Sequence, residues 1–350
     1  MMINIIKVVV PSVLTFFLGI LITPFFTNIF YKYKMWKKSP RTESDITNEH
    51  FAKVHNTNSE LSTPRVGGVI IWVSVLLTIF IIYLLSVVFP TDLTEKLNFL
   101  SRNQTLVPLV AFIIASLIGL ADDTFQIIGK SGYAKDNLIY RKIKVVAITL
   151  IGLVIGFWFY NKLEVNYIHV PFLGDVILGL WFIPFFITVM LAVFSTSVID
   201  GIDGLSGGVM TTIFTAYSII AFTNNQIDIA AFCAVIAGGT LAFLWFNIPP
   251  ARFYMGETGI LGLTVVLSVI AFMTNSVLVL PIIALPLVLT SASVIIQMIS
   301  HKYYKRRVFR VAPLHHHFEA IGWSKEKVVM RYWIVGVVFA IIGVIVALIS

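Results

Sequence analysis

A chain of 350 residues with 58% hydrophobic content and only 12% charged residues lies far outside soluble globular averages, which excludes an ordinary water-soluble enzyme. The net charge of +8 sits in a few loops, and a single cysteine, Cys233, excludes an intrachain disulfide. No targeting segment stands apart from the first apolar run, which carries Lys7 but no short apolar core ending in a small-x-small cleavage site, so it reads as a retained span.

Runs long enough to cross about 30 Å of hydrocarbon as helix are predicted at 4–30, 66–89, 106–121, 143–160, 176–195, 208–223, 229–246, 259–273, 276–299 and 332–349. Helix is required because backbone polar groups in lipid must be satisfied within their own segment, and no run shows the alternation of a barrel strand. The expected fold is therefore an all-α, polytopic membrane protein with about ten transmembrane helices, residues 1–350 forming a single membrane domain. The runs at 106–121 and 259–273 are short for a span.

Ten spans divide the loops between two faces. One face collects Lys32, Lys34, Lys37, Lys38, Arg41, Lys53, Arg65, Lys130, Lys135, Arg141, Lys142, Lys144, Arg252, Lys302, Lys305, Arg306, Arg307, Arg310, Lys325, Lys327 and Arg331; the other has Lys7, Lys96, Arg102 and Lys162. The positive-inside rule makes the first face cytoplasmic and puts both termini outside. The clustered acids and histidines fall on that same face, whereas the outer loops hold scattered residues such as Asp92, Glu95, Glu164, His169, Asp175 and Asp228. Chemistry is therefore expected at the cytoplasmic end.

Five motifs carry it, each with a plainer reading beside the chemical one. Thr63-Pro-Arg65-Val-Gly-Gly68 ahead of span two is a turn whose arginine could serve as a membrane-surface anchor. Asp122 and Asp123 close span three in GLADD; they either end the span, at a cost far below the roughly 3 kcal/mol of a charge at the bilayer centre, or do metal or acid-base work. Asp200 and Asp203 precede span six in SVIDGIDGLSGG, where a helix start would place them at i and i+3 on one face; they cap that helix or hold a nucleoside or a magnesium ion. In FNIPPARFYMGETG, Arg252 suits phosphate and Glu257 a hard cation, if the loop is more than a surface turn. Last, His315, His316 and His317 follow the basic run 302–310; three successive residues cannot all face one zinc ion on a regular helix, so phosphate binding is favoured over metal.

Together these pieces resemble the polyprenyl-phosphate N-acetylhexosamine-1-phosphate transferases, from TPRVGG to the C-terminus. GLADD is similar to the family's G-hydrophobic-x-DD, SVIDGIDGLSGG to its N-hydrophobic-x-DG-hydrophobic-DG, and FNIPPARFYMGETG to its FN-x-x-PA-basic-x-x-MGDTG. PLHHHFEAIGW followed by KVVMRYW looks like the muramoyl-pentapeptide branch, whose relatives acting on UDP-GlcNAc usually read H-x-H-H there. The sequence departs in three places: TPRVGG is closer to the UDP-GlcNAc relatives than to the TPTMGG usual in the muramoyl-pentapeptide branch, Ser197 stands where the family has Asn, and Glu257 replaces the aspartate expected to bind magnesium.

The resemblance implies transfer of phospho-MurNAc-pentapeptide from its UDP-linked donor to undecaprenyl phosphate at the cytoplasmic leaflet of a bacterial inner membrane, with release of UMP. It implies catalytic roles for Asp122, Asp123, Glu257 and His316, and a magnesium site of Glu257, Asp123 and Ser197. Substrate contacts would fall to Arg65, Lys142, Lys144, Ser197, Asp200, Asp203, Arg252, Tyr254, His315 and His317. The expected partners are these two substrates and membrane lipid, with a homodimer left open and no nucleic acid. A UDP-GlcNAc transferase is the alternative that TPRVGG favours. A transporter of anionic metabolites would instead carry polar groups deep in its spans.

Overall fold

A computed structural model describes residues 1–36, 61–100, 104–128 and 137–350, with backbone alone over 137–141. Lys37, Lys38, Arg41, Lys53, Arg102, Lys130 and Lys135, and the side chain of Arg141, lie outside the described residues.

The helices are α1 (Met2–Lys32), α2 (Val69–Val88), α3 (Asp92–Leu97), α4 (Leu106–Ile128), α5 (Asn137–Lys162), α6 (Phe182–Ser195), α7 (Leu205–Thr223), α8 (Ile227–Asn247), α9 (Gly256–Met273), α10 (Leu280–Ile283), α11 (Leu285–Ile299), α12 (Leu314–Ala320) and α13 (Lys325–Ile349). Among the described residues ten helical segments are long and apolar enough to cross a membrane, and they match the predicted runs one for one. Helices that are apolar all round belong inside a bundle. Accordingly α8 and α9 are the most enclosed, whereas α1 and α13 show much of their surface.

The structure corrects four boundaries. Strands β1 (Tyr167–Val170) and β2 (Gly174–Ile177) pair antiparallel, so the fold is helical with a small hairpin, and residues 176 and 177 precede the fifth span. The short run at 106–121 continues as helix to Ile128, which puts Asp122 and Asp123 inside α4 rather than in a loop. Span nine is broken at Ala284, with Pro281 and Pro286 at the starts of α10 and α11, where a missing N–H costs nothing. Asp200 and Asp203 lie before α7, outside any helix, because Gly204 at φ +79° starts α7 only after them. The i and i+3 spacing expected of them is therefore not formed.

Candidate active site

Two motifs far apart in sequence are joined by their backbones. The Tyr254 N–H donates to Pro64 O (2.8 Å), Gly67 N–H to Tyr254 O (2.9 Å) and Gly68 N–H to Met255 O (2.9 Å). Gly256 then turns the chain into α9 at φ +68°, with its Cα packed on the Arg65 carbonyl and a would-be Cβ 2.6 Å from Asp123 Oδ2. Only glycine meets both demands. Glu257 thus falls in the first turn of α9, at the positive end of the helix dipole.

Helix α4 reaches the same point by close approach. Gly119 lies against the Glu257 carbonyl, and a Cβ there would stand 2.5 Å from Glu257 C and 2.7 Å from Thr258 N. One turn further, Asp123 Oδ2 accepts the Thr258 N–H at 2.9 Å. Asp122 Oδ2 accepts from Gln126 Nε2 (2.9 Å) and Lys144 Nζ (3.2 Å), and the same Nζ reaches Glu257 Oε1 at 2.9 Å. Lys144, near the start of α5, thereby ties together two acids from different helices.

What remains open is informative. Asp123 Oδ1, Glu257 Oε2 and Arg65 Nε are buried with no hydrogen-bond partner. Two inward carboxylate oxygens without donors form the oxygen set of a hard divalent cation, and magnesium commonly takes one or two carboxylates and completes its shell with water and substrate phosphate. The residues therefore fit magnesium, although among the described residues no group of three or more His, Cys, Asp or Glu could hold a metal by itself. Ser197 lies in the turn Thr196–Ile199, where its carbonyl accepts the Asp200 N–H; no hydrogen bond joins its hydroxyl to Asp123 or Glu257.

Asp200 closes the other side. Its Oδ1 accepts from Ser206 Oγ (2.8 Å) and its Oδ2 from Gly256 N–H (3.2 Å). Burial pushes its pKa up to about 6, against the pull of the Ser206 bond, the Arg65 charge and the Gly256 bond. Asp203 Oδ2 accepts the Ala251 N–H at 3.1 Å; burial raises its pKa too, against that bond and the charge of Lys325. Asn247 is buried and spans both loops, its Oδ1 accepting from Gly204 N–H (2.9 Å) and its Nδ2 donating to Phe253 O (2.8 Å). Arg252 is exposed over the Phe246 ring, and Tyr254 is half-buried on the ladder with Pro64.

The histidines divide. His315 and His316 are buried on α12 with their rings 4.3 Å apart, and both reach Gly201, where a Cβ would stand 3.3 Å from His315 Cε1 and 3.1 Å from His316 Nε2. His316 Nδ1 pairs with Glu319 Oε2 at 2.6 Å. His317 instead accepts the Arg310 N–H at Nδ1 (3.2 Å), and burial and the Arg310 charge lower its pKa. Its ring is held by its own loop. Lys142 is exposed at the start of α5 and makes no contact with the carboxylates.

Arg65, Asp122, Asp123, Lys144, Asp200 and Glu257 therefore meet at one end of the bundle, with His315 and His316 behind Gly201. At the other end the acids pair locally, Lys7 with Asp228 (2.5 Å), Lys96 with Asp92 (2.7 Å) and His169 with Asp175 (2.8 Å). Sequence reasoning gave no role to Glu319, Gln126, Ser206 or Asn247. The His316–Glu319 spacing of i and i+3 was a readable signal for the first.

The family model for Glycosyl transferase family 4 matches residues 105–275, from the start of α4 to just past α9, and so includes Asp122, Asp123, Lys144, Asp200 and Glu257. The phospho-N-acetylmuramoyl-pentapeptide-transferase of Chloroflexus aggregans is 32% identical, over 95% of this chain and 88% of that protein. The proteins of the same name from a Geobacillus strain and from Clostridium perfringens are 31% and 32% identical, covering 96% of this chain and 96% and 98% of theirs. The chain belongs to the phospho-N-acetylmuramoyl-pentapeptide-transferase family. Within that family, Arg65 and the histidines lie outside the stretch matched by the family 4 model, yet the fold brings them to it.

Proposed function

We propose that this chain transfers phospho-MurNAc-pentapeptide from UDP-MurNAc-pentapeptide to undecaprenyl phosphate, giving lipid I and UMP. The observation that carries the reading is the meeting of Asp122, Asp123, Lys144 and Glu257 at one end of an apolar bundle, with buried carboxylate oxygens left open. In the net reaction a bond forms from an acceptor phosphate oxygen to the sugar-bearing phosphorus while that phosphorus parts from UMP. Such transfers rest on positioning and on neutralising charge. Magnesium, when bound, supplies that neutralisation at the donor diphosphate, with Asp123 and Glu257 as its protein ligands and Ser197 as the proposed third.

The protein's own groups supply the rest. Lys144 holds Asp122 and Glu257 in register and offers its charge to phosphate. Asp122 and Asp123 face the acceptor phosphate, and Asp200, Asp203, Ser197, Arg252 and Tyr254 form the donor's nucleotide wall. Arg65, His315 and His316 contact phosphate, with Lys142 and His317 at the rim. The positive loops support a cytoplasmic active face and outer termini in a bacterial inner membrane. Arg65 within TPRVGG favours a second reading, transfer of GlcNAc-1-phosphate from UDP-GlcNAc.

The test is purified protein with undecaprenyl phosphate, magnesium and each UDP-sugar in turn, following UMP. Turnover with the muramoyl-pentapeptide donor is expected; turnover with UDP-GlcNAc alone would reject the substrate assignment. Glu257→Gln is expected to abolish the magnesium-dependent rate and to weaken manganese binding read by electron paramagnetic resonance.

A further inference from the structure

Away from the carboxylates, α11, α12 and α13 enclose a cleft of about 220 Å³. Its walls include Pro286 and Leu289 of α11, Leu314 and Phe318 of α12, and Tyr332 and Val335 of α13, with Trp323 and Arg331 also lining it. Leu289 and Val335 are exposed, so the cleft opens on the hydrocarbon side of the bundle.

The charges around it are unusual. The Arg331 guanidinium lies 4.0 Å and the Lys327 ammonium 5.2 Å from the centre of the same Trp323 ring. Neither side chain forms an ion pair or side-chain hydrogen bond among the described residues. Like charges four residues apart on a helix repel, so two cations held on one indole make a site where a shared anion is stabilised. A guanidinium stacked on a ring keeps its edge donors available for phosphate.

Trp323 in turn stacks on Phe318 at 4.6 Å and 12°, and Tyr332 on the cleft wall has its ring 6.5 Å from His315. An apolar slot open to lipid, with two unpaired cations on an aromatic ring beside it, has the chemistry of a phospholipid: acyl chain below, phosphate above.

We propose that this cleft binds an anionic glycerophospholipid, its phosphate on Arg331 and Lys327 and one acyl chain between Leu289 and Val335, and that the bound lipid braces α12 through the Trp323–Phe318 stack. The site shares no residue with the carboxylate cluster, so it stands or falls independently of the transfer reaction.

Native mass spectrometry of the purified full-length protein tests it, with phosphatidylglycerol, phosphatidylcholine and undecaprenyl phosphate added in turn. Wild type is expected to retain phosphatidylglycerol over phosphatidylcholine, and hydrogen exchange across residues 314–320 is expected to slow when it binds. The double variant Lys327→Gln, Arg331→Gln is expected to bind phosphatidylglycerol about thirtyfold more weakly, about fivefold for each charge at a lipid surface. Val335→Trp, which fills the slot and leaves both cations in place, is expected to lose the lipid as well and guards against misfolding of the double variant. Lys302→Gln, Lys305→Gln on the neighbouring basic segment is expected to change nothing. Equal retention of both phospholipids, an equal loss in the 302/305 variant, or retention of undecaprenyl phosphate alone would overturn the proposal.

Discussion

Gly119→Ala isolates the contact that sets α4 against α9. The added Cβ would lie 2.5 Å from Glu257 C and 2.7 Å from Thr258 N, both backbone atoms at the start of a buried helix. Ordinary carbon contact begins near 3.4 Å, so the two helices must part by about 1 Å. Overpacking of this kind costs about 1–3 kcal/mol. The same shift moves Asp122 and Asp123 away from Glu257 and Thr258, and a misplacement of about 1 Å is worth on the order of 100-fold in rate. Gly152→Ala, whose Cβ would meet Ile187 and Met190 at an ordinary 3.4 Å, is the matched control and should be close to wild type. Thermal melting in detergent and UMP release with the muramoyl-pentapeptide donor read the two effects. A Gly119→Ala protein with wild-type melting and turnover would refute the packing on which the site depends.

Lys144→Met removes the cation shared by Asp122 and Glu257 and leaves two carboxylates facing each other; turnover should fall by on the order of 100-fold, and a rate within a few-fold of wild type would remove Lys144 from the site. Asp200→Asn should flatten the pH dependence of melting. Burial lifts the folded pKa of Asp200 to about 6 from 3.8, so the folded chain holds this proton more tightly, and its contribution to stability is full below the lower value and lost as pH rises through the upper one. Melting curves for both proteins between pH 4 and 7 that run parallel would contradict this. Glu319→Gln weakens the bond that orients His316 at 2.6 Å; turnover should drop about tenfold, and melting should fall by a few degrees because a buried bond to a carboxylate contributes about 1.5–3 kcal/mol to stability, whereas unaltered turnover would show that the orientation is unimportant.

Hydropathy alone placed the ten spans, because lipid forces each segment to satisfy its own backbone. It misjudged the ends where tertiary partners intervene. Asp122 and Asp123 look like the close of a span until Thr258 N–H, Gln126 and Lys144 are known to receive them; with those partners the helix runs on to Ile128. Asp200 and Asp203 have the spacing of a helical pair, but their bonds to Gly256 and Ala251 hold them on irregular backbone facing the 247–257 loop. The hairpin at 167–177 escaped notice because four-residue strands leave too little alternation to detect beside a long apolar run.

Within the site, residue type and motif identified the chemistry but not the pairing. Three adjacent histidines read as one group, although on α12 His315 and His316 face Gly201 while His317 turns to Arg310. Helical spacing makes that division and the His316–Glu319 pair readable in retrospect. The bridge by Lys144 from α5 to α4 and α9 depends on how three helices cross, which no local pattern encodes.

The central claim is the identity of the transferred group, and a competition decides it most directly. Purified protein is given undecaprenyl phosphate, magnesium and equal amounts of UDP-MurNAc-pentapeptide and UDP-GlcNAc, and the extracted lipid is weighed by mass spectrometry. The account predicts undecaprenyl diphosphate carrying MurNAc-pentapeptide as the dominant product. A product carrying only GlcNAc, or no glycosylated lipid where a control enzyme works, would contradict it.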